Sequence, residues 1–306
     1  MMSPKRHNVK APCWRWLEAS DLNHGPGSKL SRPAHTVRGQ PPPPVTDHFI
    51  EFRDVTKWFG EHCVLDRVSF FVDPGETLVI MGRSGVGKSV ALKHIMGFLK
   101  PDAGRVIVAG EDITDWEEDQ LAPIRRRVTM VFQSGALFDS LSVGENIAFP
   151  MLNGVRQGRA EGARQGRAEI DARVAELADM LEVTEFLDKL PSELSTGTKR
   201  AVAIARALAQ NPEAILYDEP TTMVDPLMAA HTSELILKLK ESLHKTSVVV
   251  THDTHLGKKL ADKLVFLHEG RVGYFGPWSG FESSNEPFLK NFRLQDALIP
   301  ALDVTL

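Results

Sequence analysis

The sequence predicts an α/β fold with a largely parallel β-sheet. Short apolar segments alternate with longer segments of helical periodicity between residues 49 and 275. Long helices between short apolar strands are typical of this fold class. A glycine-rich turn at residues 82–89 follows one apolar strand and precedes a helix. Because ligands of such sheets bind at the carboxyl ends of strands, this turn is the first candidate site.

The individual elements follow from the spacing of apolar residues. Strand-like segments lie at Phe49–Arg53, Val68–Val72, Leu78–Met81, Arg105–Val108, Val128–Phe132, Ala214–Tyr217, Val248–Thr251, Lys263–Leu267 and Arg271–Phe275. Helical spacing predicts helices over residues 89–99, 168–181, 198–209, 227–243 and 255–262. Pro101 is expected to stop the first of these helices.

Composition limits the possible classes of function. The chain has 306 residues, of which 42% are hydrophobic and 25% charged, as is ordinary for a soluble globular protein. A net charge of -4 without a basic stripe predicts no nucleic-acid partner. The sequence has neither an apolar run of about 18 residues nor a secretory signal, so we expect no membrane span. Cys13 and Cys63 are expected to be unpaired thiols in a reducing compartment.

Three segments differ in character from the rest of the chain. Residues 1–47 are basic and contain Pro41 to Pro44, which predicts a disordered tail. The alternatives are a targeting peptide, an overextended start, or a membrane contact near Trp14 and Trp16. The sequence RQGRAE occurs at 156–161 and again at 164–169, which predicts a surface extension of a loop without chemistry. Residues 276–306 are predicted to form a C-terminal extension.

The glycine-rich turn fits the phosphate-loop pattern G-x-x-x-x-G-K-[ST]. Its glycines allow backbone N–H groups to curl around a phosphate, its lysine reaches the terminal phosphates, and its serine hydroxyl can ligate Mg²⁺. The helix that follows points its positive end at the same anion. The predicted nucleotide-binding residues of this segment are Gly82, Arg83, Ser84, Gly85, Val86, Gly87, Lys88, Ser89 and Val90.

Two acidic residues follow the predicted strand at Ala214–Tyr217. Asp218 emerges where it can hold a metal ion through water, and Glu219 lies one residue nearer the terminal phosphate. A phosphate loop needs such a carboxylate near Mg²⁺ and a group that orients the attacking water. The pair is therefore predicted to complete the site.

A second anion site is predicted at Ser195, which precedes an apolar-periodic helix. Ser195 is placed as an N-cap or just ahead of one, so its hydroxyl, the following N–H groups and the helix dipole can bind an anion. The chain thus has two phosphate-binding helix ends but a single lysine-bearing loop.

In chain order, these motifs resemble those of the ATP-binding subunit of an ABC transporter. The resemblance rests on GRSGVGKS, Gln133, LSTGT, YDEP, TTMVD and His252, and it covers residues 48–275. It implies a P-loop NTPase fold with a RecA-like core, an antiparallel β subdomain and an α-helical subdomain at about 134–196. It also implies ATP and Mg²⁺ as cofactors, a head-to-tail homodimer and a separate integral membrane permease.

The resemblance also assigns roles around the nucleotide. Phe59, or as a second choice Trp58, would stack on adenine. Gln133 would contact Mg²⁺ and water and meet the membrane partner. Glu219 would act as the general base or as the carboxylate that positions water, and His252 would contact the γ-phosphate. Lys88 completes the catalytic set, and the predicted metal ligands are Ser89, Gln133 and Asp218.

The remaining assigned residues would act on the partner copy. Ser195 and Gly197 would touch the γ-phosphate held by the other subunit, and Asp225 would lie at the interface. The signature has Thr196 where glycine is usual and Thr198 where glutamine is usual. Met223 likewise replaces a frequent glycine after the carboxylates, so the sequence leaves the backbone geometry at these positions open.

The cargo is predicted from a longer resemblance. FQSGALFDS at 132–140 and GKSVALKHIMGFLKPDAG after the phosphate loop resemble the Mla/Mce branch, whose systems move phospholipids or other lipids. Lipid-binding or Mce-type accessory subunits and a peripheral location on the cytoplasmic face of the inner or plasma membrane are implied. The alternatives are an importer of amino acids or another small solute, a soluble ABC ATPase acting on ribosomes or DNA, and a non-hydrolysing scaffold.

Overall fold

The computed structural model describes residues 47–155 and 160–298. The predicted disordered tail, apart from its last residue, and positions 156–159 of the repeat lie outside the described residues. The end of the predicted C-terminal extension, from residue 299 onward, also lies outside them.

The first sheet has four strands and is antiparallel. It contains β1 (Ile50–Phe59), β2 (His62–Val72), β4 (Ala103–Val108) and β5 (Glu111–Asp112) in the order β2-β1-β4-β5. β1 and β2 form a hairpin in which Ile50 faces Val72 and Phe59 faces His62. The turn between them contains Gly60, whose φ of 61° lies in the left-handed region that glycine adopts without strain.

The second sheet has six strands and is mainly parallel. It contains β3 (Thr77–Gly82), β6 (Val128–Val131), β7 (Ala214–Asp218), β8 (Thr246–Val250), β9 (Lys263–His268) and β10 (Arg271–Gly276) in the order β10-β9-β3-β8-β7-β6. Only the edge strand β10 pairs in an antiparallel sense, with β9. The carboxyl ends of β3, β7 and β8 therefore meet at one edge, which confirms the predicted α/β class.

Nine α-helices lie in the described part of the chain. They are α1 (Lys88–Ile95), α2 (Ala122–Arg127), α3 (Val143–Val155), α4 (Ala160–Met180), α5 (Thr196–Leu208), α6 (Pro226–Leu243), α7 (Thr254–Leu260), α8 (Trp278–Ser283) and α9 (Pro287–Leu298). Each predicted helix is present, although α1 ends at Ile95 rather than at residue 99, because the chain turns at Gly97, whose φ is 66°, before it reaches Pro101. Those not anticipated are α2, α3, α8 and α9, and α4 begins at residue 160 rather than 168, so the second RQGRAE copy is helical and not part of a loop.

Alternation along β3 divides the core into two layers. Leu78 and Ile80 face the side shared with α1 and the antiparallel sheet. Val79 and Met81 face the side that carries α3 to α7. Successive side chains of a strand point to opposite faces, so a strand that is buried on both faces has no polar alternation. All six residues of β3 are buried, and its carboxyl end is fixed between two packed layers.

The C-terminal helices pack on this second layer. Phe281 of α8 and Leu289 of α9 are fully buried, and Phe281 stacks on Phe266 of β9 with ring centroids 5.8 Å apart. Phe292 meets the same Phe266 ring edge-on at 4.8 Å. The described part of the predicted C-terminal extension is therefore integrated with the sheet. Among the described helices, none is long and apolar enough to cross a membrane.

Candidate nucleotide site

The phosphate loop connects the buried strand β3 to α1. Gly82 ends β3 with φ 147°, and a Cβ atom there would lie 2.4 Å from the carbonyl oxygen of Leu267. Gly87, the N-cap of α1, has φ 103°, and its Cβ would lie 2.7 Å from a methyl carbon of Leu65. Both positions require glycine because of backbone conformation and contact with the neighbouring strands. The loop is thereby held so that the N-terminus of α1 opens toward the cleft.

Lys88 is buried at the first position of α1. Its Nζ donates to the carbonyl oxygens of Gly82 at 2.8 Å and Arg83 at 3.2 Å, and it lies 3.4 Å from Glu219 Oε1. The side chain is 6% exposed. A buried ammonium requires charge and hydrogen-bond compensation, which the loop carbonyls and this carboxylate supply. Lys88 is therefore already curled over the loop that would receive the phosphates.

Ser89 and Asp218 join the start of α1 to the end of β7. Ser89 Oγ donates to Asp218 Oδ1 at 2.8 Å. Burial raises the pKa of Asp218, and the negative charge of Glu219 adds to this, while the Ser89 hydrogen bond acts in the opposite direction. A hydroxyl and a carboxylate are oxygen donors of the kind that Mg²⁺ prefers. Among the described residues, no group of three or more His, Cys, Asp or Glu side chains could hold a metal ion by itself.

Glu219 lies at the centre of a hydrogen-bonded set. Its Oε2 is 2.8 Å from His252 Nδ1 and accepts from Thr222 Oγ1 at 3.1 Å. Burial would raise the pKa of Glu219, but the His252 hydrogen bond and the charges of Lys88 and His252 lower it overall. The same hydrogen bond raises the pKa of His252. Glu219 is thus held ionised beside the phosphate loop, as a group that orients water requires.

These side chains surround one open cleft of about 520 Å³. Phe59 is 47% exposed at its rim, and Lys57 Nζ lies 5.8 Å from the centre of the Phe59 ring. Gln133 enters the cleft from the loop after β6. The sequence-predicted residues that line the cleft are Phe59, Ser84, Gly85, Gly87, Lys88, Ser89, Val90, Gln133, Glu219 and His252. Asp218 reaches this group through Ser89, and Gly82, Arg83 and Val86 complete the loop.

Three further predicted residues lie at the starts of α5 and α6 and do not line this cleft. Ser195 is the N-cap of α5, and its hydroxyl accepts from the Thr198 backbone N–H at 3.1 Å. Asp225 caps α6 in the same way by accepting from the Met228 N–H at 3.0 Å. A Cβ atom at Gly197 would lie 2.6 Å from Met228 Sδ, so the start of α5 packs closely on the start of α6. Both helix ends are formed, and neither contributes a residue to the lining of the chain's own cleft.

The signature departures are accommodated locally. Thr196 is exposed, and the Thr198 hydroxyl lies 2.8 Å from Ser195 Oγ, within hydrogen-bonding distance. Met223 is 82% exposed and has φ 63°, a left-handed conformation that is uncommon for a residue with a side chain. The substitutions thus leave the capping geometry of α5 intact and place an apolar side chain in solvent beside the cleft.

Sequence reasoning missed four residues around the site. Thr222 and His62 line the cleft together with Val64, and Thr222 also hydrogen-bonds Glu219. Arg200 contacts the loops that carry Gln133 and Glu219. Thr222 lay within the recognised TTMVD motif, whereas the Arg200 contacts join residues distant in sequence and have no local signal.

Comparison with known proteins identifies the family. The ABC transporter family matches residues 65–222. The chain is 35% identical over 253 residues to the methionine import ATP-binding protein MetN of Brucella abortus. This match covers 82% of this chain and 66% of MetN. It is 32% identical over 243 residues to the probable ribonucleotide transport ATP-binding protein mkl of Mycobacterium leprae, covering 79% of this chain and 68% of mkl. The match therefore spans just under two thirds of the length of MetN.

A solved structure of an ATP-binding cassette has the same fold. The dimeric post-hydrolysis state of the ATP-binding cassette MJ0796, bound to ADP and Pi, superposes with a TM-score of 0.66 at 34% identity. The match covers 74% of this chain and 98% of that cassette. The predicted fold is confirmed, and the predicted ATPase cassette is confirmed at the level of the family. The order of motifs, the geometry of the cleft and these likenesses together show that the chain belongs to the ABC transporter family.

Proposed function

We propose that this chain is the ATP-hydrolysing subunit of an ABC transporter. The observation that carries the proposal is the convergence of Lys88, the Ser89–Asp218 pair and the Glu219–His252 pair on one cleft. These groups supply a phosphate-binding cation, oxygen ligands for Mg²⁺ and a carboxylate for the attacking water. A scaffold that only bound nucleotide would not need the last of these.

The mechanism follows from the contacts of this chain. ATP phosphates compete with Glu219 for Lys88, which already lies over the loop. Release of Lys88 leaves the Glu219 carboxylate oriented by His252 and Thr222 and able to accept a proton from water. Ser89, Asp218 and Gln133 would hold Mg²⁺, which neutralises phosphate charge when bound. The N-terminus of α1 and Lys88 then stabilise the charge that develops on the transferred phosphoryl group.

We also propose that two copies form the complete site. Ser195 and Asp225 lie at helix N-termini outside the cleft of their own chain. A helix N-terminus is favourable for an anion, so the start of α5 would suit a phosphate group. A second copy placed head to tail would bring its Ser195 helix to the open side of the first copy's cleft. The dimeric state of the similar cassette MJ0796 supports this arrangement. ATP-dependent dimerisation, measured by light scattering, tests it.

An aromatic groove supports an integral membrane permease as partner. Phe132, Phe138 and Phe149 are 37%, 41% and 38% exposed and line one depression, and Phe98, 44% exposed, lines the adjoining one. Contiguous exposed apolar surface of this kind marks interaction sites. The groove adjoins Gln133 through Phe132, so a helix of the permease seated there would contact the loop that enters the nucleotide cleft. Docked in this way, the chain would lie peripherally on the cytoplasmic face of the membrane.

The groove can be tested with Phe149→Ser, which is expected to reduce co-purification with membranes at least severalfold. Leu294→Ser is the matched control because Leu294 is 54% exposed on α9. Thermal unfolding of both variants reports on folding. Equal membrane recovery of the two variants would argue against the groove as the docking surface.

For the cargo, we propose lipid, most simply phospholipid. The support is the resemblance of the segment after the phosphate loop and of FQSGALFDS at 132–140 to the Mla/Mce branch. This second segment contains two aromatic-groove residues, Phe132 and Phe138, so the distinctive sequence lies where the permease would dock. Mce-type accessory subunits belong to the same proposal.

The alternative cargo is an amino acid or another small solute, favoured by the likeness to MetN. Both cargoes use the same nucleotide site, so the test must involve the partner. The chain is purified from membranes with its permease, and bound lipid is identified by mass spectrometry. ATPase stimulation by phospholipid vesicles supports lipid, whereas stimulation by methionine supports the alternative. Stimulation by nucleic acid would refute both cargoes.

A further inference from the structure

Arg200 is a buried cation that joins three parts of the nucleotide site. It lies on α5, the helix capped by Ser195, and only 3% of its surface is exposed. Among the described residues, its acceptors are backbone carbonyls: Nη1 donates to Pro220, and Nη2 donates to Gln133 at 2.6 Å and to Thr222 at 3.1 Å. One guanidinium therefore binds the loop that carries Gln133 and the turn that follows Glu219.

The burial of this group needs an explanation. Removing a guanidinium from water is unfavourable unless its N–H groups are satisfied. Burial lowers the pKa of Arg200 because desolvation disfavours the charged form. The planar fork of arginine can donate to several carbonyls at fixed angles, whereas the ammonium of lysine acts as a point charge. The contacts of Arg200 use this fork to hold two separate segments at a set distance.

The turn that Arg200 holds has a strained backbone at both ends. Glu219 has φ 48° and Met223 has φ 63°, although neither is glycine. Such conformations are unfavourable for residues with a side chain and persist where surrounding contacts enforce them. Arg200 binds the carbonyls of Pro220 and Thr222 between these two residues. The Thr222 hydroxyl in turn donates to the Glu219 carboxylate.

We propose that Arg200 is a positioning residue for hydrolysis, which fixes the Glu219 turn against the Gln133 loop and so sets the orientation of the Glu219 carboxylate toward water. The proposal rests on the proposed ATP hydrolysis and names a further residue that this step needs. It also implies that a movement of the Gln133 loop is transmitted to the Glu219 carboxylate through the Arg200 side chain. Arg200 itself touches neither nucleotide nor water in this role.

The test uses Arg200→Lys in the full chain, assayed with Mg-ATP. A misplacement of the carboxylate by about 1 Å is expected to lower kcat by roughly 10- to 10²-fold, with KM for ATP changed by less than about threefold. The matched control is Arg293→Lys. Arg293 lies on α9 and also donates to three backbone carbonyls, those of Phe281, Glu282 and Ser284.

A double-mutant comparison separates positioning from general stabilisation. If Arg200 acts through Glu219, then adding Arg200→Lys to Glu219→Gln lowers the residual rate by less than about twofold. Full additivity of the two losses, or an effect on KM alone, would overturn the proposal. Wild-type turnover in Glu219→Gln alone would instead overturn the proposed hydrolytic role, so the two failures are distinguishable.

A second variant covers the case in which Arg200→Lys does not fold. Thr222→Val keeps the size of the side chain but removes its hydrogen bond to Glu219. Like Arg200→Lys, it is expected to lower kcat with little change in KM. In the Glu219→Gln background it is expected to have no further effect. An unchanged kcat in Thr222→Val would contradict the positioning chain from Arg200 through the turn to the carboxylate.

Discussion

Neutralisation of Glu219 is the most informative perturbation of the site. Glu219→Gln preserves the size of the side chain and its oxygen acceptor for Thr222, but it removes the charge that lies 3.4 Å from Lys88 Nζ. Loss of a general base lowers the rate by about 10²- to 10⁴-fold, which corresponds to about 2.7–5.4 kcal/mol in activation free energy. Turnover is therefore expected to fall by at least two orders of magnitude.

Nucleotide binding should change in the opposite direction. At 3.4 Å, the attraction between Lys88 and Glu219 is about 5 kcal/mol at an effective dielectric constant of roughly 20, before solvation offsets most of it. If about 1.4 kcal/mol survives, freeing Lys88 raises ATP affinity tenfold. Steady-state phosphate release measures the first effect, and equilibrium binding of Mg-ATP measures the second.

Glu213→Gln provides a control at the other end of β7. Glu213 precedes β7 at the opposite end from Glu219 and forms two hydrogen bonds with Arg127, at 2.6 and 3.0 Å. Its neutralisation is expected to lower the free energy of unfolding by less than about 1 kcal/mol and to leave turnover within twofold. The assignment of Glu219 is refuted if Glu219→Gln turns over at the rate of Glu213→Gln while it binds ATP.

Three further predictions concern the phosphate loop, the binding of adenine and the dependence of stability on pH. Gly82→Ala is expected to abolish ATP binding because its Cβ would lie 2.4 Å from the Leu267 carbonyl oxygen; normal binding by calorimetry would contradict this. Phe59→Ala is expected to weaken ATP binding by about 1–3 kcal/mol if the ring stacks on adenine, and inorganic triphosphate should bind it and the wild type equally. Burial raises the pKa of Asp73, but hydrogen bonds from Lys263 and His48 lower it overall, from an ordinary value of 3.8. A lowered folded-state pKa gives stability that is present above about pH 4 and is lost as pH falls through the folded-state pKa. At pH 7, Asp73→Asn should therefore lower the free energy of unfolding in urea by about 0.5–1 kcal/mol. This difference from the wild type should vanish in acid.

Local sequence patterns were sufficient to predict much of the site. The phosphate loop, the acidic pair after β7 and the capping serine of α5 each depend on a few consecutive residues, whose backbone or hydrogen-bonding chemistry has one main use. The order of these motifs along the chain supplied the rest, including Gln133 and His252. Their positions in the structure around one cleft agree with that order, while their roles in catalysis stay predictions.

Elements that depend on distant contacts were not predictable. α3 contains Pro150, which removes an intrahelical hydrogen bond, so its pattern does not indicate a helix. α8 and α9 are stabilised by burial of Phe281 and Leu289 against the second core layer rather than by strong local periodicity. The carbonyl acceptors of Arg200 lie 20, 22 and 67 residues away along the chain. Only the folded arrangement of three segments brings that arginine together with its acceptors.

The methionine at position 223 gives the protein a built-in spectroscopic probe. Its side chain is 82% exposed, whereas Met81 is fully buried and Met130 is 9% exposed. With methyl-labelled methionine, Met223 should give a sharp resonance in the free protein, and Met81 an internal reference that nucleotide hardly moves. Closure of a second copy over the cleft would shift or broaden the Met223 signal and leave the Met81 signal unchanged. The kinetics of opening and closing could then be followed without attaching a dye or introducing a cysteine.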